Sequence, residues 1–347
     1  MQKGRRKSVY VIAVILLMAA IAGNLIQLPY YVTQPGSADR LAPMVKVKNG
    51  YKESGSFRLV TVLEGRANVW QFLRAKMDFN PYTQVLKADQ VAYPDESKTE
   101  MNVRQLNYMK TSQIASTYVA YKAAGKNPKL EHRGVLIVNV HSKMPAARVL
   151  RAGDIIVSAN GRTVRTIKDL QNALKNAKAG ERIDLTVNRN GKRLDVETET
   201  APFPKDWLPA GTDHKVGLGI LQAEAIDLDA APPVRFNTGG IGGPSAGLMM
   251  SLEIYEQLTP EDLSKGYDIC GTGTIDFNGN VGPIGGIKQK VVAADRAGAK
   301  IFFAPVAKHE ADDARAAARD IGSDMKIVPV KTFDDAVRYL RSLKPKN

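Results

Sequence analysis

Two glycine-rich stretches are the most informative part of this sequence: Gly243-Pro244-Ser245-Ala246-Gly247 and, further along the chain, Gly285-Gly286-Ile287-Lys288. The first predicts a sharp glycine-rich turn that opens an amphipathic helix. A serine at a helix amino terminus meets unpaired backbone N–H groups and the positive end of the helix dipole, which both favour developing negative charge. Ser245 is therefore the candidate nucleophile, with Gly242, Gly243 and Ala246 as candidate oxyanion or positioning residues.

A serine hydroxyl is a poor nucleophile at neutral pH, so a base has to be found. Lys288 begins a helix predicted over Ile287–Ala297, where the helix dipole and burial both lower a lysine pKa towards the range of a general base. One helical turn of uncertainty leaves Lys290 as the alternative, although Lys290 fits a solvent-exposed position better than Lys288 does. The sequence therefore predicts a catalytic pair of Ser245 and Lys288.

A histidine base gives a second hypothesis. The four histidines are His132, His141, His214 and His309. An esterase or lipase of the α/β-hydrolase type needs its histidine after the serine, and only His309 satisfies that order. Its charged surroundings are typical of an exposed helix start. A third hypothesis is a non-catalytic scaffold in which the serine has no chemical role.

Composition and charge restrict the class of protein. A chain of 347 residues with 44% hydrophobic residues has room for two or three domains. Its formal charge is +14, and residues 1–200 carry 32 Lys and Arg against 16 Asp and Glu, whereas residues 201–347 carry 17 against 19. The basic excess favours an anionic surface as partner, but no nucleic-acid recognition motif accompanies it. The single Cys270 excludes an intrachain disulfide framework, and we expect no cofactor and no metal.

The amino-terminal residues predict a membrane anchor. Basic residues within 3–7 precede the uncharged run Val9–Gly23, and a helix over 8–28 would be roughly 30 Å long, enough to span a bilayer. The positive flank predicts a cytoplasmic tail over 1–7 and everything after Pro29 outside the cytoplasm. A cleavable signal peptide is the alternative, since Ala20-Ile21-Ala22 resembles a cleavage site.

The middle of the chain divides into two predicted units. Residues 29–130 are the first, an extracytoplasmic region with a strand over Phe57–Leu63 and a helix over Asn102–Ala124 that packs partly on the last domain. The second unit, over 131–202, has strands, one helix and a hairpin. It resembles a PDZ domain through the following motifs: Gly134–Val140, Pro145-Ala146-Ala147, Gly153-Asp154-Ile155-Ile156 and Asn160-Gly161. The resemblance implies peptide capture at a sheet edge, in a groove lined by Gly134, Val135, Leu136 and Ile137.

Residues 205–345 resemble the proteolytic domain of Lon, through Gly242–Gly247, Gly279–Lys288 and Ala293–Gly298. The resemblance implies a Ser–Lys dyad, and the 43-residue separation of Ser245 and Lys288 agrees with that family. Thr272 matches a family threonine thought to orient the lysine. Lon itself usually has Asp where this chain has Gly242. The sequence also contains no G-x-x-x-x-G-K-[ST] phosphate loop, which excludes ATP-driven unfolding by that route.

The three predicted parts together are similar to the SepM-like group of membrane-anchored PDZ-Lon serine peptidases of Gram-positive bacteria, as is Tyr30–Gly36. We therefore expect an α+β multidomain protein with an N-terminal transmembrane helix, a PDZ-like β-rich domain and an α/β Lon-type proteolytic domain. The resemblance implies a single-pass protein of the cell membrane. Its activity would be ATP-independent serine endopeptidase cleavage, through an acyl-enzyme, of small secreted or membrane proteins outside the cytoplasm. Assembly into a homo-oligomer through the protease domain is a further expectation.

Overall fold

The computed structural model describes residues 2–93, 96–204 and 216–346. The helices in these ranges are α1 (Gln2–Leu25), α2 (Val69–Met77), α3 (Lys98–Ala123), α4 (Ile167–Leu174), α5 (Gly247–Leu258), α6 (Ile287–Arg296), α7 (Glu310–Asp320) and α8 (Phe333–Ser342). The strands of the first half are β1 (Gln27–Arg40), β2 (Val45–Val47), β3 (Ser56–Asn68), β4 (Gln84–Lys87), β5 (Lys129–Val140), β6 (Ile155–Ala159), β7 (Arg162–Thr163), β8 (Arg182–Arg189) and β9 (Lys192–Glu199). Those of the second half are β10 (Ala201–Pro202), β11 (Val216–Gly217), β12 (Ile220–Asp229), β13 (Val234–Phe236), β14 (Asp268–Gly271), β15 (Thr274–Ile275), β16 (Val281–Gly282), β17 (Ile301–Pro305) and β18 (Lys326–Val330).

The first of two six-stranded sheets has the strand order β18-β17-β14-β3-β1-β4. Strands β3, β14, β17 and β18 run parallel, whereas β1 is antiparallel to β3 and β4. Because successive side chains of a strand point to opposite faces, Leu59 and Phe303 lie in the core with α5 and α8, while Val60 and Phe302 lie in the core with α6 and α7. Helices therefore cover both faces of this sheet.

The second six-stranded sheet has the order β12-β5-β6-β8-β9, with β7 paired to β6. Its core is formed by buried residues such as Ile137, Ile156 and Leu185 together with Leu170 of α4. The hairpin of β8 and β9 turns at Asn190-Gly191, where φ is 51° and 81°. Positive φ at both turn residues is what a two-residue type I′ hairpin requires, and Asn-Gly supplies it at low cost.

Both sheets are completed by strands from distant parts of the sequence. Strands β1, β3 and β4 belong to the predicted region 29–130, yet they form half of the first sheet. Strand β12 follows residue 205, yet it pairs with β5 along its whole length. The predicted boundary at 202–205 adjoins residues 205–215, which lie outside the described ranges. The predicted boundaries at 130 and at 202–205 therefore do not coincide with the division between the two sheets.

The predicted transmembrane helix and single-pass location are wrong. Helix α1 ends at Leu25 and β1 begins at Gln27, so the residues that were to complete a span over 8–28 belong to a strand. Within the part of the chain that the structure describes, no helix combines the length and the apolar character needed to cross a bilayer. The α+β architecture remains, without the membrane-spanning element.

Helix α3 contacts both α5 and strand β12 of the second sheet. Its Ser116 Oγ donates a hydrogen bond to Gly247 O at the start of α5, over 2.8 Å. Its Lys110 Nζ forms an exposed ion pair with Asp227 of β12, at 3.3 Å. The helix begins at a capping box, in which Ser97 accepts from Glu100 N and Glu100 accepts from Ser97 N. Helix α3 therefore links the second sheet to the turn that precedes α5.

Candidate active site

Ser245 lies in the turn directly before α5, as the sequence predicts, and its side chain is half-buried. The turn needs glycine at Gly243, where φ is 87°. Helix α3 holds it through two hydrogen bonds: Gly243 N donates to Gln105 O over 3.0 Å, and Ser112 Oγ donates to Pro244 O over 3.1 Å. The serine hydroxyl is thereby presented on a fixed backbone.

Lys290 lies against the serine. Its Nζ is 2.7 Å from Ser245 Oγ and 3.0 Å from Thr272 Oγ1, and the side chain is 2% exposed. Burial disfavours the charged form and lowers the pKa of Lys290 to about 7, while the charge of Glu310 opposes that shift. A large fraction of the lysine is therefore the neutral amine at neutral pH, which is the form that accepts a proton.

Thr272 fixes the direction of this contact. Its Oγ1 donates to Ser245 O over 3.0 Å, so the same oxygen is left to accept a hydrogen bond from Lys290 Nζ. Its backbone N–H donates to Phe303 O of β17, which ties the residue to the first sheet. With one N–H used on the threonine, the lone pair of a neutral Lys290 is available to the serine hydroxyl. Thr272 thus contacts both the lysine amine and the backbone of the serine.

Lys288 does not reach the serine, which corrects the predicted pairing. Its side chain is 47% exposed and its Nζ lies 3.8 Å from Asp313 Oδ1. In α6, Ile287 and all residues from Gln289 to Ala294 are buried, so Lys288 is the position in the first two turns that lies at the surface. The apolar spacing does not separate the two lysines, because Lys290 lies three residues after Ile287 and Lys288 lies three residues before Val291.

The histidine alternative has no support from the geometry. His309 Nδ1 is 3.8 Å from Asp312 Oδ2, and the side chain is 92% exposed. His132 lies on β5, where its Nδ1 is 3.4 Å from Glu224 Oε2. His214 lies outside the described residues. The side chain within hydrogen-bond distance of Ser245 Oγ is instead the amine of Lys290.

The predicted oxyanion residues separate into two groups. The Gly243 amide is already used on Gln105, so it is not free for a substrate oxygen. Within the described residues, the amides of Gly242, Ser245 and Ala246 have no hydrogen-bond acceptor. These amides are candidates for stabilising an oxyanion at the serine. Gly242 is also a steric requirement, since a Cβ there would lie 2.8 Å from the Cβ of Gln105.

The predicted peptide groove also needs correction. Gly134, Val135, Leu136 and Ile137 lie on β5, and β5 is covered on one side by β12 and on the other by β6. A sheet adds a peptide strand only at an unpaired edge. In the described part of the chain, this sheet ends at β12 on one side and at β9 on the other. The edge strand β12 lies beside α4, where Glu224 Oε1 accepts a hydrogen bond from Ile167 N over 2.9 Å.

None of the described residues form a group of three or more His, Cys, Asp or Glu side chains that could hold a metal ion. The serine, lysine and threonine contacts use only groups of the chain itself. The chemistry that this arrangement supports is nucleophilic attack by an activated hydroxyl.

Comparison with known proteins gives two domain assignments. The model of the PDZ domain family matches residues 123–200, and that of the Lon protease (S16) C-terminal proteolytic domain matches residues 236–341. Lon protease of Campylobacter concisus is 41% identical over 96 residues, which are 28% of this chain and 12% of that protein. Lon protease homolog 2, peroxisomal, of Caenorhabditis elegans is 31% identical over 163 residues, which are 46% of this chain and 19% of that protein.

The match thus spans less than a fifth of the length of these curated relatives. Among solved structures, the PDZ domain of an SdrC-like protein from Listeria monocytogenes is 22% identical, with a TM-score of 0.24, over 27% of this chain and 92% of that one. A TM-score this low does not establish a shared fold, so the domain assignment depends on the two family models and the Lon relatives. The chain carries a PDZ domain followed by a C-terminal proteolytic domain of the Lon serine-peptidase type.

Proposed function

We propose that this protein is a serine endopeptidase whose nucleophile is Ser245 and whose general base is Lys290. The observation that carries the proposal is the 2.7 Å contact between Ser245 Oγ and the Nζ of a lysine that is 2% exposed. A buried amine with a pKa near 7 has the basicity that general-base catalysis at neutral pH needs. The Lon-type proteolytic domain over 236–341 supports the same class of reaction.

The proposed reaction has two halves. In acylation, Ser245 Oγ attacks a peptide carbonyl carbon while its proton passes to the neutral amine of Lys290, and the free amides of Ser245 and Ala246 stabilise the oxyanion. The C–N bond then breaks, and the Lys290 ammonium returns the proton to the leaving nitrogen. In deacylation, Lys290 takes a proton from water as the water oxygen attacks the ester carbon. The bond between that carbon and Ser245 Oγ then breaks, and the Lys290 ammonium returns the proton to Oγ.

Cleavage in this proposal needs no nucleotide and takes extended peptide segments. The sequence has no phosphate loop that would couple ATP to unfolding of the substrate. A peptide bond inside a helix or sheet is not accessible to a serine held on a rigid turn. The substrates are therefore small or already unfolded polypeptides. A homo-oligomer remains an expectation from the Lon resemblance.

The PDZ domain is proposed to bind a peptide along the unpaired edge of β12, beside α4. Hydrogen–deuterium exchange tests this, because an added strand protects the amides that it pairs with. A bound peptide should slow exchange at β12 and leave β5 unchanged, since β5 is paired on both sides. Protection confined to another strand would contradict the proposal.

The peptidase proposal is tested with a fluorophosphonate, which modifies activated serines, and with an unfolded casein as substrate. The wild type should be labelled at Ser245 and should cleave casein without added ATP. Ser245→Ala should lose both labelling and cleavage, because no other group supplies the attacking oxygen. Ser251→Ala is the matched control, since that serine is buried on α5 and donates to Gly247 O. A Ser245→Ala protein that still cleaves casein would refute the assignment.

A further inference from the structure

Glu310 is a buried carboxylate next to the helix that carries Lys290. Glu310 is only 6% exposed and is the first residue of α7. Both of its oxygens accept from the Ile284 amide, at 2.9 and 3.1 Å. Ile284 stands two residues before Gly286, whose left-handed backbone (φ 68°) opens α6. The carboxylate therefore holds the loop that leads into the lysine helix.

The backbone just before Glu310 is strained. Lys308 and His309 are consecutive non-glycine residues with φ of 53° and 60°. The left-handed conformation is unfavourable for residues with a Cβ, and two in succession are rare. Such strain persists where the surrounding structure requires it, and it often marks a functional position. Here it turns the chain so that the first side chain of α7 points inward, while the side chain of His309 is 92% exposed.

The charges of the two buried groups affect each other. In the described structure, Glu310 is the charged group whose field acts on Lys290. Burial raises the pKa of Glu310, whereas the hydrogen bond from the Ile284 amide and the charges of Lys290 and Lys308 lower it. Lys288 and Asp313 pair with each other at the surface, 3.8 Å apart. On the sheet side of the lysine, the contacting groups are the neutral hydroxyls of Ser245 and Thr272.

We propose that Glu310 is a positioning residue for the proposed dyad: its buried carboxylate fixes the loop that opens α6, the helix that carries Lys290, and its charge acts on the buried amine. The inference depends on the proposed function of Ser245 and Lys290. A negative charge near a buried amine favours the ammonium form and so offsets part of the effect of burial. An amine desolvated without such a partner binds a proton too weakly to act as base over the whole neutral range.

A purely structural role has different consequences. A carboxylate in the first turn of a helix stabilises that helix through its dipole, and its loss would lower stability without moving the protonation of Lys290. The pH dependence of serine modification therefore separates the two roles. The rate of fluorophosphonate labelling of Ser245 follows the neutral fraction of its base and needs no knowledge of the natural substrate.

The experiment compares this pH profile in wild type, Glu310→Gln, Glu310→Asp and Glu310→Ala, with circular dichroism to establish folding. Glu310→Gln keeps an acceptor for the Ile284 amide but removes the charge, so the midpoint should fall by about one pH unit, roughly a tenfold gain in neutral base well below it. Glu310→Asp keeps the charge and should keep a midpoint close to wild type. Glu310→Ala should show the lowered midpoint together with a reduced maximal rate, and it serves as the charge-free variant if the glutamine protein does not fold.

Asp312→Asn is the matched control, because Asp312 is an acid in the same helix turn but pairs with Arg315 at the surface. It should reproduce the wild-type profile. A wild-type midpoint in Glu310→Gln, or in a folded Glu310→Ala, would overturn the role of Glu310 while leaving the dyad in place. Absence of Ser245 labelling in the wild type at every pH would instead overturn the proposed function itself.

Discussion

At the scale of single residues, the proposed active site contains Lys290 where the sequence predicted Lys288. The sequence indicated a serine on a glycine turn and a lysine early in a later helix, and both features are present. It missed the choice between Lys288 and Lys290, because Lys288 was preferred for its place at the amino terminus of the predicted helix and the spacing in the Lon resemblance agreed with it. Each lysine has a buried apolar residue three positions away, Ile287 for Lys290 and Val291 for Lys288. The choice between them is made by the packing of α6 in the folded protein, which buries Lys290 and leaves Lys288 at the surface.

The protonation of Lys290 predicts how the cleavage rate depends on pH. Burial lowers its pKa to about 7 from 10.5, and only the neutral amine accepts the serine proton. The specificity constant for a peptide substrate should therefore rise with pH, with a midpoint near 7, and level off above it. Initial rates between pH 5 and 9 measure this. A flat profile would mean that no group with such a pKa limits the reaction.

Gly242 gives a prediction about the position where Lon proteases usually carry Asp. A Cβ at 242 would lie 2.8 Å from the Cβ of Gln105 on α3, whereas a Cβ at Gly240 meets nothing within 4 Å. Gly242→Ala should lower the free energy of unfolding by about 1–3 kcal/mol, as overpacking does, and should reduce cleavage by moving the serine turn. Gly240→Ala should change neither. Thermal denaturation and casein cleavage compare the pair, and equal behaviour would contradict the steric argument.

At the scale of elements, α5 carries the serine at its start and two buried acids further along. Glu253 and Glu256 are 0% and 1% exposed, and burial raises their pKa values to about 9 and about 8. The nearby carboxyl group of Glu53 adds to the shift of Glu253. The neutral acid is therefore the form that this helix accommodates in the folded protein.

These shifts predict that the free energy of unfolding decreases as the pH rises from 4.5 to about 9. In both groups the folded pKa lies above the unfolded value of 4.5, so the folded state binds more protons, and the contribution present at low pH is lost as pH rises towards 8 and 9. Each group can contribute a slope of about 1.4 kcal/mol per pH unit within that window. Urea denaturation at pH 6 and pH 9 should show a smaller loss for Glu253→Gln than for wild type. An equal loss would contradict the protonated state of Glu253.

The sequence was sufficient to predict individual helices and strands, but not which distant strands pair in a sheet. The strand within β3, helix α3, the β8–β9 hairpin and the helices after the two glycine motifs follow from periodicity and turn residues. The partner of β5 is β12, which pairs Leu136 with Ala223 across a separation of 87 residues. Register between such distant strands is decided by burial in the finished core. For this reason the peptide groove was predicted on a strand that has no free edge.

At the scale of the whole molecule, the proteolytic part is built from both ends of the described chain. Strand β3 lies between β14 and β1, and it pairs Ile269 with Phe57 in parallel. Helix α3 supplies Ser112 and Ser116 to the serine turn and to α5. Residues 27–124 therefore form part of the same core as residues 236–341, whereas the sequence predicted a region that packs only partly on the last domain.

This arrangement predicts that residues 205–347 do not fold alone. Without β3, the parallel strand β14 would be an exposed edge, and the core around Phe57 and Leu59 would be open to water. The fragment should show poor dispersion of its amide NMR signals, and adding a fragment of residues 27–124 should restore dispersion. A fragment 205–347 that is folded by itself would show that the shared core is not needed.

The most direct test of the central claim compares two lysines on one helix. Lys290→Met removes the amine from Ser245 with little change in shape, while Lys288→Met removes an exposed amine that pairs with Asp313. We expect Lys290→Met to remain folded and to lose Ser245 labelling and casein cleavage by about a hundredfold or more, as removal of a general base does. Lys288→Met should retain both activities. The opposite result, with Lys288→Met inactive and Lys290→Met active, would contradict the account.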